Sequence, residues 1–178
     1  LGDIDGDGDQ DFAIGAYGDD SAGLSAAGVV YIMKSPINEG NLNLATAASA
    51  KIFGEFVEDN TGYSIASAGD IDNDGKGDLL VGAYRQDDGG SSAGSAYVFL
   101  GKDLSGDLTL SDAHIQFIGE GDDDFAGSSV DGAGDFNGDG IPDFAIGAYG
   151  ENSIANDQGK VYLFKGSNDM SGNLPLGF

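Results

Sequence analysis

Short apolar runs alternate with polar, glycine-rich turns along the whole chain, and no stretch sustains a helical period. The runs at 12–17, 79–84 and 144–149 are each bounded by turn residues, a pattern that predicts strands buried on both faces. A second run follows each of them, at 29–33, 96–100 and 161–164. Third strands are predicted at 51–54 and 115–119, and fourth ones at 62–66 and 127–131, where small and apolar residues alternate.

These runs keep one period. Acidic nonapeptides begin at Asp3, Asp70 and Asp135, at intervals of 67 and 65 residues. Gly40-Asn41-Leu42-Asn43-Leu44 recurs as Gly106-Asp107-Leu108-Thr109-Leu110 and as Gly172-Asn173-Leu174-Pro175-Leu176, at intervals of 66 and 66. Four strands per repeat, each sheet needing a neighbour for its apolar faces, predict an all-β chain of β-propeller blades. The division expected is a partial blade at 1–53, a complete one at 54–119 and a partial one at 120–178. Such an array cannot close a ring alone, so further blades of a parent chain or self-association are expected to complete it. The first residue, Leu1, leads us to expect a mature product or an excised piece.

Composition adds a strong constraint. The 178 residues carry 31 Asp and Glu against 7 Lys and Arg, a formal charge of −24. That surface repels nucleic acid and anionic headgroups and attracts divalent cations. With no Cys, neither a disulfide framework nor a thiolate metal site is available. No apolar run reaches the length of a spanning helix.

Much of the acidity sits in the nonapeptides. Position 1 is Asp3, Asp70 or Asp135, position 3 is Asp5, Asp72 or Asn137, position 5 is Asp7, Asp74 or Asp139, and position 9 is Asp11, Asp78 or Asp143. Oxygen side chains at 1, 3, 5 and 9, with glycine at 6, make a loop able to wrap a hard cation. Position 7, occupied by Asp9, Lys76 and Ile141, is expected to offer its backbone carbonyl. Three Ca2+ sites are therefore expected, calcium rather than magnesium because magnesium wants a tighter octahedron with more waters retained. EF-hands and dockerin-type loops place an acid at position 12, where this chain has Ile14, Val81 and Ile146. Asn137 leaves the third loop one carboxylate short, so it is expected to bind more weakly. Filling all three sites would still leave a charge of about −18, so calcium accounts for part of the acidity only.

The loop and the strand after it resemble the FG-GAP repeats of integrin α-chain propellers and their bacterial relatives. Gly15-Ala16-Tyr17, Gly82-Ala83-Tyr84 and Gly147-Ala148-Tyr149 stand where that family has Gly-Ala-Pro. Thr61-Gly62-Tyr63-Ser64 and Ala126-Gly127-Ser128-Ser129 stand where it has Phe-Gly, with Phe125 one place early. These departures suggest a bacterial-type branch. The resemblance implies an extracellular or cell-surface module for adhesion or protein binding, with calcium structural rather than catalytic. A carbohydrate-binding propeller, a matrix or filament protein, and the non-catalytic part of a larger extracellular enzyme are the alternatives.

Other residues carry less. His114, the only histidine, falls in a predicted strand and is read as structural, so no enzyme activity is expected. Tyr17, Tyr84 and Tyr149 could line a glycan surface, but their repetition in every unit favours packing. Asp87-Asp88 and Asp122-Asp123-Asp124 read as solvated loops.

Overall fold

The computed structural model describes residues 1–37, 40–151, 158–167 and 169–177. From the N-terminus run β1 (Phe12–Ala16), β2 (Val29–Met33), the single helical turn α1 (Leu44–Ala47) and β3 (Ala50–Phe53). They are followed by β4 (Ser64–Gly69), β5 (Asp78–Ala83), β6 (Ser95–Phe99), β7 (Gly106–Thr109) and β8 (Ile115–Ile118). The chain continues through β9 (Ala126–Gly134), β10 (Asp143–Ala148), β11 (Lys160–Phe164) and β12 (Gly172–Pro175).

Among the described residues the strands form three sheets, in the orders β1-β2-β3-β7, β12-β8-β6-β5-β4 and β11-β10-β9. Consecutive strands pair as antiparallel hairpins, as expected for propeller blades. Two strands depart from this pattern. β7 leaves its own repeat to pair in parallel with β3, placing Ile52 beside Leu108, and β12 pairs in parallel with β8, placing Phe117 beside Leu174. The second and third Gly-x-Leu-x-Leu segments, treated above only as markers of the period, are thus added strands that stitch their repeat to the sheet before, whereas the first copy, at 40–44, forms no strand and leads into α1.

Two apolar cores lie between successive sheets. Val30, Ile32 and Ile52 of the first sheet share a core with Leu79, Val81 and Phe99 of the second. From the other face of the second sheet, Leu80, Val98 and Phe117 share a core with Phe144 and Ile146 of the third. Phe117 meets the rings of Phe144 and Phe164 at 5.6 and 4.3 Å. Every residue of β5 is buried, as a strand sandwiched between two sheets requires. β1 is not, and Phe12 is 41% exposed because the outer face of its sheet has no covering sheet among the described residues.

Glycines permit the sheets to approach closely. A Cβ on Gly82 would lie 2.0 Å from the carbonyl oxygen of Gly127, and one on Gly15 would lie 2.1 Å from that of Gly62. The glycines of the first two Gly-Ala-Tyr segments are therefore where the chain entering the next sheet crosses, backbone on backbone, whereas Gly147 of the third meets only the Ser129 hydroxyl of its own sheet.

Candidate metal centres and an aromatic surface

Each nonapeptide is a turn built around its first carboxylate. Asp3 accepts from the backbone N–H of Gly6, Asp7 and Gly8 at 2.6, 3.1 and 2.8 Å. Asp135 repeats the set with Gly138, Asp139 and Gly140 at 2.6, 3.1 and 2.8 Å, and Asp70 accepts from Asp74 and Gly75. The Gly8 N–H bond, with those of Gly6 and Asp7, holds the Asp3 carboxyl below its ordinary range against the opposing effect of desolvation. Position 6 has φ of +97°, +91° and +90° at Gly8, Gly75 and Gly140, a region open chiefly to glycine. Position 4 is left-handed too, at Gly6, Asn73 and Gly138, a regularity the spacing argument passed over.

The ninth position does more than point into the loop. Asp78 is fully buried, and its two carboxylate oxygens accept from Ile71 N and Gly101 N, both at 2.8 Å. Asp11 does the same with Ile4 and Ser35 at 2.9 and 2.8 Å, and Asp143 with Phe136 and Gly166 at 2.9 and 3.0 Å. One bond closes the loop and the other ties it to the segment just after the neighbouring strand. Burial, with the charges of Asp72 and Asp70 adding to it, pushes the Asp78 carboxyl up to about 6 despite the two donors.

The fold brings Asp3, Asp5 and Asp11 together, and likewise Asp70, Asp72 and Asp78, with ligand atoms within 4.8 Å of one another in each group. Asp72 Oδ1 is buried without a hydrogen-bond partner. Crowded carboxylates with an orphaned buried oxygen are a donor set suited to a hard cation. Asp7 and Asp74 are not among the gathered residues; their Oδ1 atoms, like that of Asp139 in the third loop, accept from their own loop at Asp9, Lys76 and Ile141 N at 2.9, 2.9 and 3.0 Å. In the third loop Asn137 changes the pattern, because its Nδ2 donates to both oxygens of Asp143 at 3.1 Å. The second loop has a basic neighbour of its own, Lys102, whose ammonium pairs with Asp72 and lies 3.8 Å from Asp74.

At the opposite ends of the strands the tyrosines form a surface. Tyr17, Tyr63, Tyr84, Phe125 and Tyr149 run in one row, with successive ring centroids 5.3, 4.3, 5.9 and 4.8 Å apart. The rings pack on one another as expected, yet Tyr17 is 52% and Tyr149 59% exposed, so the row also faces outward. Each tyrosine of Gly-Ala-Tyr falls just beyond the end of its strand, with Tyr84, at the middle of the row, half-buried. Arg85 sits over Tyr84, 5.6 Å from the ring centroid.

Two acidic residues beside this row were not legible as buried. Asp124, expected in a solvated loop, is 6% exposed and accepts from Gly121 N at 2.7 Å, closing a turn. Its repeat equivalent Asp59 is 2% exposed and accepts from Phe56 N at 3.0 Å. Burial, aided by the charges of Asp87 and Asp88, pushes Asp59 up to about 6. Because the folded state holds this proton more tightly than the unfolded chain does, the Asp59 contribution to stability is greatest below about pH 4 and is lost as pH rises to about 6. Asp59→Asn keeps an acceptor for Phe56 N, so at neutral pH it is expected to raise stability by about 2 kcal/mol. Melting wild type and variant in parallel between pH 4 and 7 checks this, since the gap between them should close toward the acid end.

His114 lies just before β8, where its backbone donates to Val98 O and accepts from Gly172 N. Among the described residues no helix is long and apolar enough to cross a membrane.

Comparison with known proteins agrees with this geometry. The FG-GAP repeat family model matches at residues 1–33, 61–99 and 126–164, and each match holds one acidic loop with the hairpin that follows it. Integrin alpha-IIb of Homo sapiens is 33% identical over 159 residues, covering 86% of this chain and 14% of its own length. Integrin alpha-6 of Gallus gallus is 31% identical over 142 residues, 79% of this chain and 12% of the relative. Integrin alpha pat-2 of Caenorhabditis elegans is 36% identical over 95 residues, 53% and 8%. The chain thus spans a small fraction of the curated relatives it matches. With three repeats matched over more than half of its residues, the chain belongs to the FG-GAP repeat family of β-propeller proteins.

Proposed function

We propose that this chain is a calcium-stabilised, non-catalytic propeller segment of an extracellular or cell-surface protein, acting in adhesion or protein binding. The observation that carries the binding role is the row of five aromatic rings crossing all three sheets at the ends away from the acidic loops. Exposed, mutually ordered tyrosines offer large contact area at small entropic cost, the composition of protein-binding surfaces. Similarity to integrin alpha chains supports the adhesive reading and the placement outside the cell.

The acidic loops have the complementary role. Calcium at Asp3, Asp5, Asp7 and Asp11, and at the equivalent oxygens of the other two loops, neutralises carboxylates that otherwise repel one another. Asn137 already satisfies Asp143 in the third loop, so that loop gains least from an ion. Asn137→Asp is expected to strengthen the third site by about tenfold through its added ligand charge. Calorimetric calcium titration of wild type and variant would show it, and a wild-type third site ranking tightest would reject the ordering.

The binding role is tested by screening the immobilised chain, in calcium, against a displayed random-peptide library and a glycan array. Peptides that bind wild type but not Tyr63→Ser/Tyr84→Ser support protein recognition through the row. Glycans lost with the same variant would replace that reading with the carbohydrate-binding one, and no row-dependent binder of either kind would refute both.

A further inference from the structure

The two junctions between sheets hold the same tyrosine in different company. At the second, Tyr162 Oη donates to Glu120 Oε1, and Lys160 Nζ reaches the same oxygen at 2.6 Å while lying 4.9 Å from the centre of the Tyr162 ring. A carboxylate, a phenol and an ammonium thus close on one another. Their equivalents at the first junction are Glu55, Tyr97 and, in place of the lysine, Ser95. Glu55 turns instead to Ser111, accepting from its N and Oγ at 3.3 and 2.6 Å. Tyr97 is 3% exposed and accepts from Gln116 Nε2 at 3.2 Å, and among the described residues its own proton has no hydrogen-bonded acceptor.

Between these groups lies a cavity of about 320 Å3, whose lining includes Glu55, Phe56, Asp88, Tyr97, Leu110 and Gln116. Asp88 Oδ2 accepts from Gln116 Nε2 at 2.7 Å. Among the described residues no Lys or Arg pairs with Glu55 or Asp88. Burial, with the charges of Asp88, Asp59 and Glu55 adding to it, pushes the Tyr97 hydroxyl up, so the negative field of three carboxylates converges on the cavity. Glu55 and Asp88 belong to neither group of carboxylates gathered closely enough to share one metal ion, so the complementary ligand is a larger, organic cation. Phe56 and Leu110 offer apolar surface for its stem.

We propose that this cavity binds a primary alkylammonium group, which takes the part at the first junction that Lys160 Nζ plays at the second: bonded to Glu55 and set against the Tyr97 ring. The precedent is the chain's own, since the same carboxylate and phenol already hold an ammonium one repeat later. A free alkylamine and a lysine side chain of a partner share this chemistry. The site is distinct from the aromatic row, whose Tyr63 and Tyr84 flank β4 and β5, whereas Tyr97 and Gln116 stand on β6 and β8.

Amide chemical shifts of the 178-residue chain in calcium and moderate salt, titrated with n-butylammonium chloride, test this. Saturable shifts centred on Glu55, Phe56 and Gln116 are expected, with a dissociation constant of about 1 mM, while 1-butanol moves none of them. Glu55→Gln keeps an acceptor for Ser111 and is expected to weaken the amine at least about tenfold. Asp131→Asn removes an exposed charge on the third sheet and should leave the affinity unchanged. Resonances unmoved elsewhere in the two variants establish that they fold. Acetyl-Gly-Lys-Gly-amide binding as tightly as the amine identifies a partner's lysine as the source, and binding of the amine alone identifies a free alkylamine. Shifts that never saturate, that spread over the acidic loops, or that persist equally in Glu55→Gln overturn the proposal. Saturation of the same residues by methyl glucoside but not by the amine overturns it in favour of a polyol.

Discussion

Asp78→Ala is expected to destabilise the chain by about 4 kcal/mol, lowering the melting temperature by roughly 10 °C. The carboxylate is fully buried and is the acceptor for Ile71 N and Gly101 N. Alanine removes two charge-assisted hydrogen bonds and strands two backbone donors where water does not replace the oxygens. Loss of a metal ligand alone would predict a different pattern, in which the variant matches wild type once calcium is chelated. The geometry predicts that most of the deficit persists in chelator, since neither bond involves an ion. Asp78→Asn keeps one acceptor oxygen and should lose about half as much. Chemical denaturation with and without chelator separates the two roles.

Gly82→Ala is expected to cost at least about 3 kcal/mol, the upper end for overpacking, because the obstacle is backbone on another sheet and cannot rotate away. The new methyl would stand 2.0 Å from Gly127 O and 2.3 Å from Ser64 Oγ, and Ser64 Oγ itself donates to Gly127 O at 2.7 Å. Relief would require the second and third sheets to separate, opening the core of Leu80, Val98, Phe117 and Phe144. Gly147→Ala is the internal control. Its nearest obstacle is the hydroxyl of Ser129, which can change rotamer, so its cost should stay below about 1 kcal/mol. Equal destabilisation by the two substitutions would mean that the glycine serves its own strand rather than the junction between sheets.

The readable and unreadable parts of this chain divide along a physical line. The acidic loops and hairpin strands were legible because their signals are local. Oxygen ligands at fixed spacing, a glycine at the left-handed sixth position and apolar runs between turns all lie within about 15 residues of one another. β7 and β12 were not read as strands, since Gly106–Thr109 and Gly172–Pro175 have little apolar pattern and are extended through pairing with another repeat's sheet. Their recurrence at 66 residues was the available clue. The ninth aspartate was read as a ligand, and nothing in its spacing revealed that Gly101 N, 23 residues away, would share it. The tyrosines posed the opposite difficulty. Repetition argued for packing, which the ring contacts bear out, but the exposure of Tyr17 and Tyr149 follows from strands that end one residue earlier, at Ala16 and Ala148. Burial of Asp59 likewise depends on a turn closed by its own side chain, which composition hides.

The account rests on the three loops acting as clamps that calcium tightens. Full occupancy should contribute about 3 kcal/mol per site when calcium exceeds the dissociation constant by about a hundredfold. The most direct measurement is the melting temperature of the chain titrated with calcium from excess chelator to the low millimolar range, with magnesium in parallel. The account predicts a calcium-dependent rise of roughly 20 °C at full occupancy that chelator reverses and magnesium reproduces only weakly. A melting temperature indifferent to calcium and chelator would contradict it.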